Sequence, residues 1–412
     1  VGSDLFDIAD FAGVFTNIEE LNLSGVDKDA LSANGHDLTF EVNVSDIVSM
    51  MGAAAGNFKI TVKDGMTLDQ AQINEDAGYT ITAATLDPDG DPFNGTLDTY
   101  TITNGGDTIT LVVEKLPIVA TPGVDVMNLG AGDNVLDALE DDDTIHGDDG
   151  DDHIRGNEGD DSIYGDNGND TLYIDSDAAA PTGGTDTYDG GAGEDTVSAL
   201  YATEGVTIDI SGADPATDQT ITSDTNNIGA DTIMNFEHAT GSNFDDTLIA
   251  DAGSNTLSGL EGDDDISAGA GDDVLLGGDG NDTLDGGDDT DTVDGGAGDD
   301  YVVANGDAFV DIYDGGADND TLDLTAFGGT GGNVDLTNDT NTVGGAFADQ
   351  IDNFENLIAT DGTNSIAGTS GANTIDARAG DDIIDGLDGD DHITAGSGND
   401  TIDGGDGADT ML

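Results

Sequence analysis

From Leu136 onward an aliphatic side chain returns every nine residues: Leu136, Ile145, Ile154, Ile163 and Leu172 in one stretch, Ile384, Ile393, Ile402 and Met411 in another. The positions between them are glycine, aspartate, asparagine and threonine, as in GGDGNDTLD, GGDDTDTVD and GGAGDDYVV, which run in phase from Gly277 to Val303. A helix repeats at 3.6 residues and a strand at 2, so a strict period of nine fits neither alone. Each unit must hold a turn and a short strand. Residues seven to nine are the strand, with position eight facing inward and its neighbours, often Thr, Asp or Ser, facing water. Two units then make one coil, and turns eighteen residues apart stack on the same side.

The phase holds in three runs, at 129–173, 241–303 and 359–412, with five, seven and six units, and single units begin at 190 and 315. The segments 199–240 and 324–358 break the period and share a pattern of their own: an alternating strand, a variable loop, then Asn-Phe-Glu and a new run. Each is expected to be a strand pair or widened coil that continues the solenoid, with Phe236 and Phe354 as core plugs rather than ligand platforms. Residues 1–128 are different material. Alternating stretches such as NFKITVKD, YTITAATL and DTITLVVEK predict strands, and SDIVSMMGAAA predicts one short helix. The expected organisation is all-β: a β-rich module at 1–122, β-roll arrays at 123–198, 241–323 and 359–412, and connectors at 199–240 and 324–358.

Composition sharpens this. The 412 residues carry 90 acidic and 6 basic side chains, a formal net charge of −84. Self-repulsion on that scale opposes compaction unless a counter-charge is bound, and it excludes nucleic acid and anionic membrane as natural partners. Such a balance with few aromatics also describes disordered chains, but disorder has no need of phase. Cysteine is absent, so disulfides and thiolate metal sites are excluded, and this fits export in an unfolded state. No stretch approaches the roughly 18 consecutive apolar residues of a membrane helix. No secretory signal follows Val1 and the chain stops within a repeat, so it is expected to be a piece of something longer.

The repeat also specifies a chemistry. Glycines at positions one, two and four permit positive φ and close approach of successive turns, which exposes carbonyl oxygens. An aspartate at position six adds a carboxylate to each turn: Asp143, Asp152, Asp161 and Asp170; Asp246, Asp264, Asp273, Asp282, Asp291 and Asp300; Asp382, Asp391, Asp400 and Asp409. Hard oxygens in that number suit Ca2+, which takes six to eight of them. These aspartates are the candidate metal ligands. Asn134, Asn255, Asn364 and Asn373 hold position six near the start of runs; they lose the charge, and their turns are expected to bind weakly or act as caps. Asp195 and Asp320, in the single units, are expected to lack stacked partners. A separate acidic loop, Asp87 to Asp98, has EF-hand-like spacing, but Pro92 sits where the sharp-turn glycine belongs, and a plain turn is the favoured reading.

The nonapeptide resembles the RTX (repeats-in-toxin) repeat of bacterial secreted proteins. The resemblance implies a parallel β-roll, calcium between stacked turns, and type I secretion to the cell surface or medium. The connectors and, more loosely, the first module look like those of large RTX adhesins. No catalytic constellation is present: no H-E-x-x-H, no G-x-S-x-G, no cysteine nucleophile. The five histidines read as solvated surface side chains. Two functions are expected to compete: a structural calcium-binding segment of an adhesin, matrix or surface-layer protein, and the export and folding tail of a secreted protease or lipase. Roughly ten to fifteen Ca2+ ions are expected from the repeat count and the oxygen-rich turn. Self-assembly and contact with a cell surface or glycan are the partner classes left open, with no insertion into membrane.

Overall fold

The computed structural model describes residues 124–138, 141–175, 185–212, 219–223, 231–306, 309–329, 331–337 and 349–412, and before residue 124 the backbone of individual strands. The chain divides into two units. One comprises Val1–Thr121, Leu129–Leu139 and Asp149–Ile154; the other comprises Pro122–Asn128, Glu140–Asp148 and Arg155–Leu412.

In the first unit a five-stranded sheet has the order Glu20–Asn22, Asn57–Lys63, Asp107–Leu116, Thr96–Asn104, Thr80–Leu86. Asn57–Lys63 runs parallel to Asp107–Leu116, and the last three strands form an antiparallel meander. The expected strands at NFKITVKD, YTITAATL and DTITLVVEK are there. The expected helix at 45–55 and the acidic loop as far as residue 95 lie outside the described residues.

The second unit is a parallel β-roll. Its strands are mostly three residues long, and the middle residue is the buried one, as in Thr283–Asp285 and Thr374–Asp376. Parallel pairing at an offset of eighteen stacks these middle residues into columns. One column climbs through Leu248, Ile266, Leu284, Val302, Leu322, Leu357, Ile375 and Ile393. A second runs Val197, Ala239, Leu257, Leu275, Val293, Tyr313, Ile351. Most of these side chains are wholly buried. The core is therefore two columns of apolar side chains, far thinner than that of a globular domain of this length. Among the described residues one parallel sheet of this unit reaches sixteen strands, from Val126–Asn128 to Thr410–Met411, interrupted only at the first connector.

That connector is a strand pair. Val206–Asp209 lies antiparallel to Thr220–Ser223 and parallel to Thr247–Ile249, which carries the sheet onward. The second connector contributes Asn333–Asp335, parallel to Ser365–Ala367. Phe236 and Phe354 are 2% and 1% exposed, as plugs should be. Gln219 holds Phe236 in place: its Oε1 accepts the Phe236 N–H at 3.0 Å and its Nε2 donates to the Phe236 carbonyl at 2.7 Å.

Because Leu284 is stacked between Ile266 and Val302 of the adjacent coils, truncation leaves a gap in the column. Leu284→Ala is expected to cost the calcium-loaded roll about 2–5 kcal/mol, measured by urea denaturation in millimolar calcium. A cost under about 1 kcal/mol would mean that the column is not close-packed.

Candidate metal centre

Some turns begin with a buried alanine, as at Ala268 and Ala377, but where a turn begins with glycine the carboxylate of the same unit lies against it. A β-carbon on Gly259, Gly277 or Gly295 would collide with Oδ2 of Asp264, Asp282 or Asp300 respectively, and in each case with the position-one carbonyl of the next coil as well. Positions two and four take the left-handed region, as at Gly278 (φ 121°) and Gly280 (φ 148°). Residues with positive φ spaced in this way curl the backbone into a concave turn lined by its own polar groups.

Into that turn the position-six aspartate points inward. Its Oδ1 accepts the backbone N–H of the position-six residue one coil earlier, which makes a continuous ladder. Asp264 donates to Asp282 at 2.8 Å, Asp282 to Asp300 at 2.8 Å and Asp300 to Asp320 at 2.8 Å. A parallel ladder runs from Asn255 to Asp273, Asp291, Asp311 and Asp349 at 2.7–3.2 Å. In the first array Asp143 donates to Asp161, Asp161 to Asp186, Asp186 to Asp231, and Asp170 to Asp195. In the third, Asn364 donates to Asp382 and Asn373 to Asp391. Within the other unit Asn134 donates to Asp152 at 2.8 Å.

Each ladder bond uses one oxygen of the carboxylate. The second, Oδ2, is buried with no hydrogen-bond partner at Asp143, Asp195, Asp264, Asp273, Asp282, Asp300, Asp320, Asp382 and Asp391. Burial pushes these carboxyls up, against the pull of the ladder N–H and with help from neighbouring carboxylates: Asp195, Asp264 and Asp320 to about 7, Asp273, Asp282 and Asp300 to about 6. A bare, charged oxygen in such a place is costly unless a cation compensates it.

The chain supplies its own probe of what the turn lacks. In the turn of Asn364, Oδ1 accepts the Gly332 N–H, so the amide nitrogen stands where an aspartate has Oδ2. That nitrogen donates to the carbonyls of positions two and four, Thr360 at 3.0 Å and Gly362 at 2.7 Å. Asn134 makes the same pair of bonds, to Gly130 and Gly132. The turn thus presents two carbonyl oxygens to position six. With asparagine they meet N–H donors; with aspartate they meet another acceptor, and a hard cation reconciles all three. The residues fit calcium by this criterion. Among the described residues no three acidic or histidine side chains converge on one point.

A second ladder, on the exposed side of the turns, shows the contrast. Position-five N–H groups donate backward, Asp263 to Asp245 at 3.0 Å, Asn281 to Asp263 at 2.8 Å and Asp299 to Asn281 at 2.7 Å. Asn and Asp interchange there because only an acceptor is needed.

Several expectations change. Asp195 and Asp320 do have stacked partners, Asp170 and Asp300, at offsets of 25 and 20 residues rather than eighteen. Asp186, Asp231, Asp311 and Asp349 join the ladders although no glycine frame precedes most of them. The available signal was an aspartate two residues before an inward Tyr188, Ile233, Tyr313 or Ile351. Asp246 is in place, but its carboxylate is already engaged, Oδ1 by the Val206 N–H and the Ser242 hydroxyl, Oδ2 by the Ser242 N–H. Asp400 and Asp409 accept their ladder bonds in the last turns but are only half-buried. His146 is no free surface group: it stacks on Tyr164, and its Nδ1 lies 2.8 Å from Asp166 Oδ2.

Comparison with protein families gives a match to the RTX calcium-binding nonapeptide repeat at residues 119–154, 146–177, 182–199, 240–275, 267–302, 358–392 and 385–412. The chain belongs to the RTX repeat family. No curated protein matches it. RTX repeats bind calcium, and the chain is accordingly a calcium-binding segment of a secreted protein; proteins with these repeats are typically exported by type I secretion and work outside the cell. Among the described residues no helix is long and apolar enough to cross a membrane. The matched stretch 182–199 contains Asp195, the single-unit residue that the ladder also includes.

If the position-one glycine of an RTX turn is there to admit the carboxylate, a methyl group should displace it. Gly277→Ala is expected to raise the calcium midpoint of folding and to cost about 1–3 kcal/mol through overpacking. An unchanged midpoint in a calcium titration followed by circular dichroism would show that the carboxylate is not held against this glycine.

Proposed function

We propose that this segment is a calcium-set stiffener in a bacterial surface protein of the adhesin, matrix or surface-layer type, with no catalytic centre of its own. The observation that carries the reading is the run of buried aspartates such as Asp264, Asp282 and Asp300, each with one oxygen bonded to the preceding coil and the other without a hydrogen-bond partner. In submicromolar cytosolic calcium their charges repel and the thin core does not offset the loss of chain entropy. Extracellular modules bind calcium at roughly 10⁻⁴ to 10⁻³ M, so a millimolar medium fills the turns, and binding free energy becomes folding free energy. The position-six aspartates of the arrays other than Asp246 are the proposed ligands, together with turn carbonyls, for roughly ten to fifteen ions.

Two features favour a structural role over the tail of an enzyme. Three arrays follow one another through two connectors that share an Asn-Phe-Glu segment, and a separate β-rich module precedes them; continuity over such a length serves extension rather than assistance to one catalytic domain. Small-angle X-ray scattering of the full chain tests this. An unfolded chain of 412 residues has a radius of gyration of roughly 70 Å. Calcium, and not magnesium, is expected to replace that coil profile by the cross-section signature of a rod. A calcium-loaded profile that stays coil-like would overturn the proposal.

A further inference from the structure

Four turns carry asparagine where the others carry aspartate, and in each the amide nitrogen finds its acceptor within the chain. In two of them, at Asn134 and Asn364, the amide nitrogen donates to the position-two and position-four carbonyls of its own turn. In the other two, Asn255 donates to the Glu237 carbonyl at 2.6 Å and Asn373 to the Glu355 carbonyl at 2.7 Å, each eighteen residues back. Those glutamates end the Asn-Phe-Glu segments of the connectors, and the two segments are built alike. Asn235 and Asn353 are left-handed (φ 58° and 59°) and donate to Asp189 and Asp314. Glu237 and Glu355 take over the inner ladder, accepting the N–H of Asp195 and Asp320 at 2.9 and 3.1 Å.

We propose that Asn134, Asn255, Asn364 and Asn373 exclude calcium from the turns that open the arrays, so that these coils close without metal and divide the calcium sites into separate blocks. At Asn134 and Asn364 the physical reason is competition for the same oxygens; at Asn255 and Asn373 the amide is spent on the glutamate carbonyl of the coil before. An amide NH2 donates where a cation would sit, adds no negative charge, and leaves at most one neutral oxygen toward the six to eight that calcium needs. In the third array a threonine at position two completes the closure. The Thr360 hydroxyl donates to Asn364 Oδ1 at 2.9 Å, and the Thr369 N–H to Asn373 Oδ1 at 2.8 Å. A metal-free coil at the head of an array would give the unfolded repeats that follow it a finished edge on which to stack, with no stacked carboxylates to neutralise first.

The inference rests on the reading that position-six aspartates hold calcium, and the test separates the two. Bound calcium is counted on the full chain by native mass spectrometry at saturating calcium, with far-UV circular dichroism as a check of folding. Asn364→Asp and Asn373→Asp are each expected to bind one ion more than the parent, and Asp282→Asn fewer. If Asp282→Asn keeps the parent count, the ligand reading itself fails. If Asp282→Asn loses ions while both asparagine variants keep the parent count, the exclusion is overturned. Loss of β-structure in both asparagine variants at saturating calcium also overturns it, since an aspartate turn filled by calcium holds the coil elsewhere in the roll.

Discussion

Chelation of calcium at neutral pH is expected to abolish the β-structure of residues 129–412 in one cooperative step for each array, and millimolar calcium to restore it. This stretch holds 69 acidic and 2 basic residues, a formal charge of −67. Its aspartates are stacked one coil apart, and the buried Oδ2 of Asp264, Asp273, Asp282, Asp300, Asp320, Asp382 and Asp391 has no donor. Opposing that repulsion is a core of two side-chain columns. At 1 mM calcium and a Kd of about 10⁻⁴ M, each site contributes about 1.4 kcal/mol by mass action. Over about ten sites the total is of order 14 kcal/mol, comparable to the whole stability of an ordinary domain. Removing it should leave nothing folded except coils that close without metal. Far-UV circular dichroism in a calcium titration, with magnesium as control, measures the transition. Retention of most of the β signal in excess chelator would mean that the columns suffice alone and that calcium only decorates a finished roll.

Acid should do part of what calcium does. The buried carboxyls of Asp195, Asp264 and Asp320 are raised to about 7 and those of Asp273, Asp282 and Asp300 to about 6, against an ordinary value near 4 for an unfolded chain. A group whose folded pKa lies above its unfolded one binds its proton more tightly in the fold. Its stabilisation is complete below about pH 4 and is lost as pH rises through 6 to 7. In chelator, then, lowering pH from 8 to 5 is expected to bring back β-structure, with a midpoint between 6 and 7, as the protonated oxygen becomes a donor to the turn carbonyls. In calcium the same titration runs the other way, because protons and metal compete for one oxygen, and apparent calcium affinity falls over the same range. Simple relief of surface repulsion would place the metal-free transition near pH 4, where exposed carboxylates titrate. A midpoint there, or none, would contradict the environment described for the inner ladder.

How much of this was legible in the sequence follows from what is local. A nine-residue period with glycine at one, two and four and an inward aliphatic at eight leaves few backbone solutions, so the parallel roll, its three-residue strands, the eighteen-residue coil and the inward columns were all determined by the chain's own text. So was the chemistry of position six, because an aspartate placed repeatedly in a carbonyl-lined turn has few roles open to it. The tertiary structure decided which residues meet across coils. Asp195 and Asp320 join the ladder at offsets of 25 and 20 residues, and a fixed period of nine cannot foresee that. Asp246 is silenced by Val206, forty residues away, and Ser242. Asn364 and Asp382 differ by one atom in sequence terms, but only the fold shows that the nitrogen of the first stands among the carbonyls that the bare oxygen of the second would face. Local constraints recur in every unit and can be read by repetition; contacts between coils depend on how much chain lies between them, and that is settled only when the chain is wound.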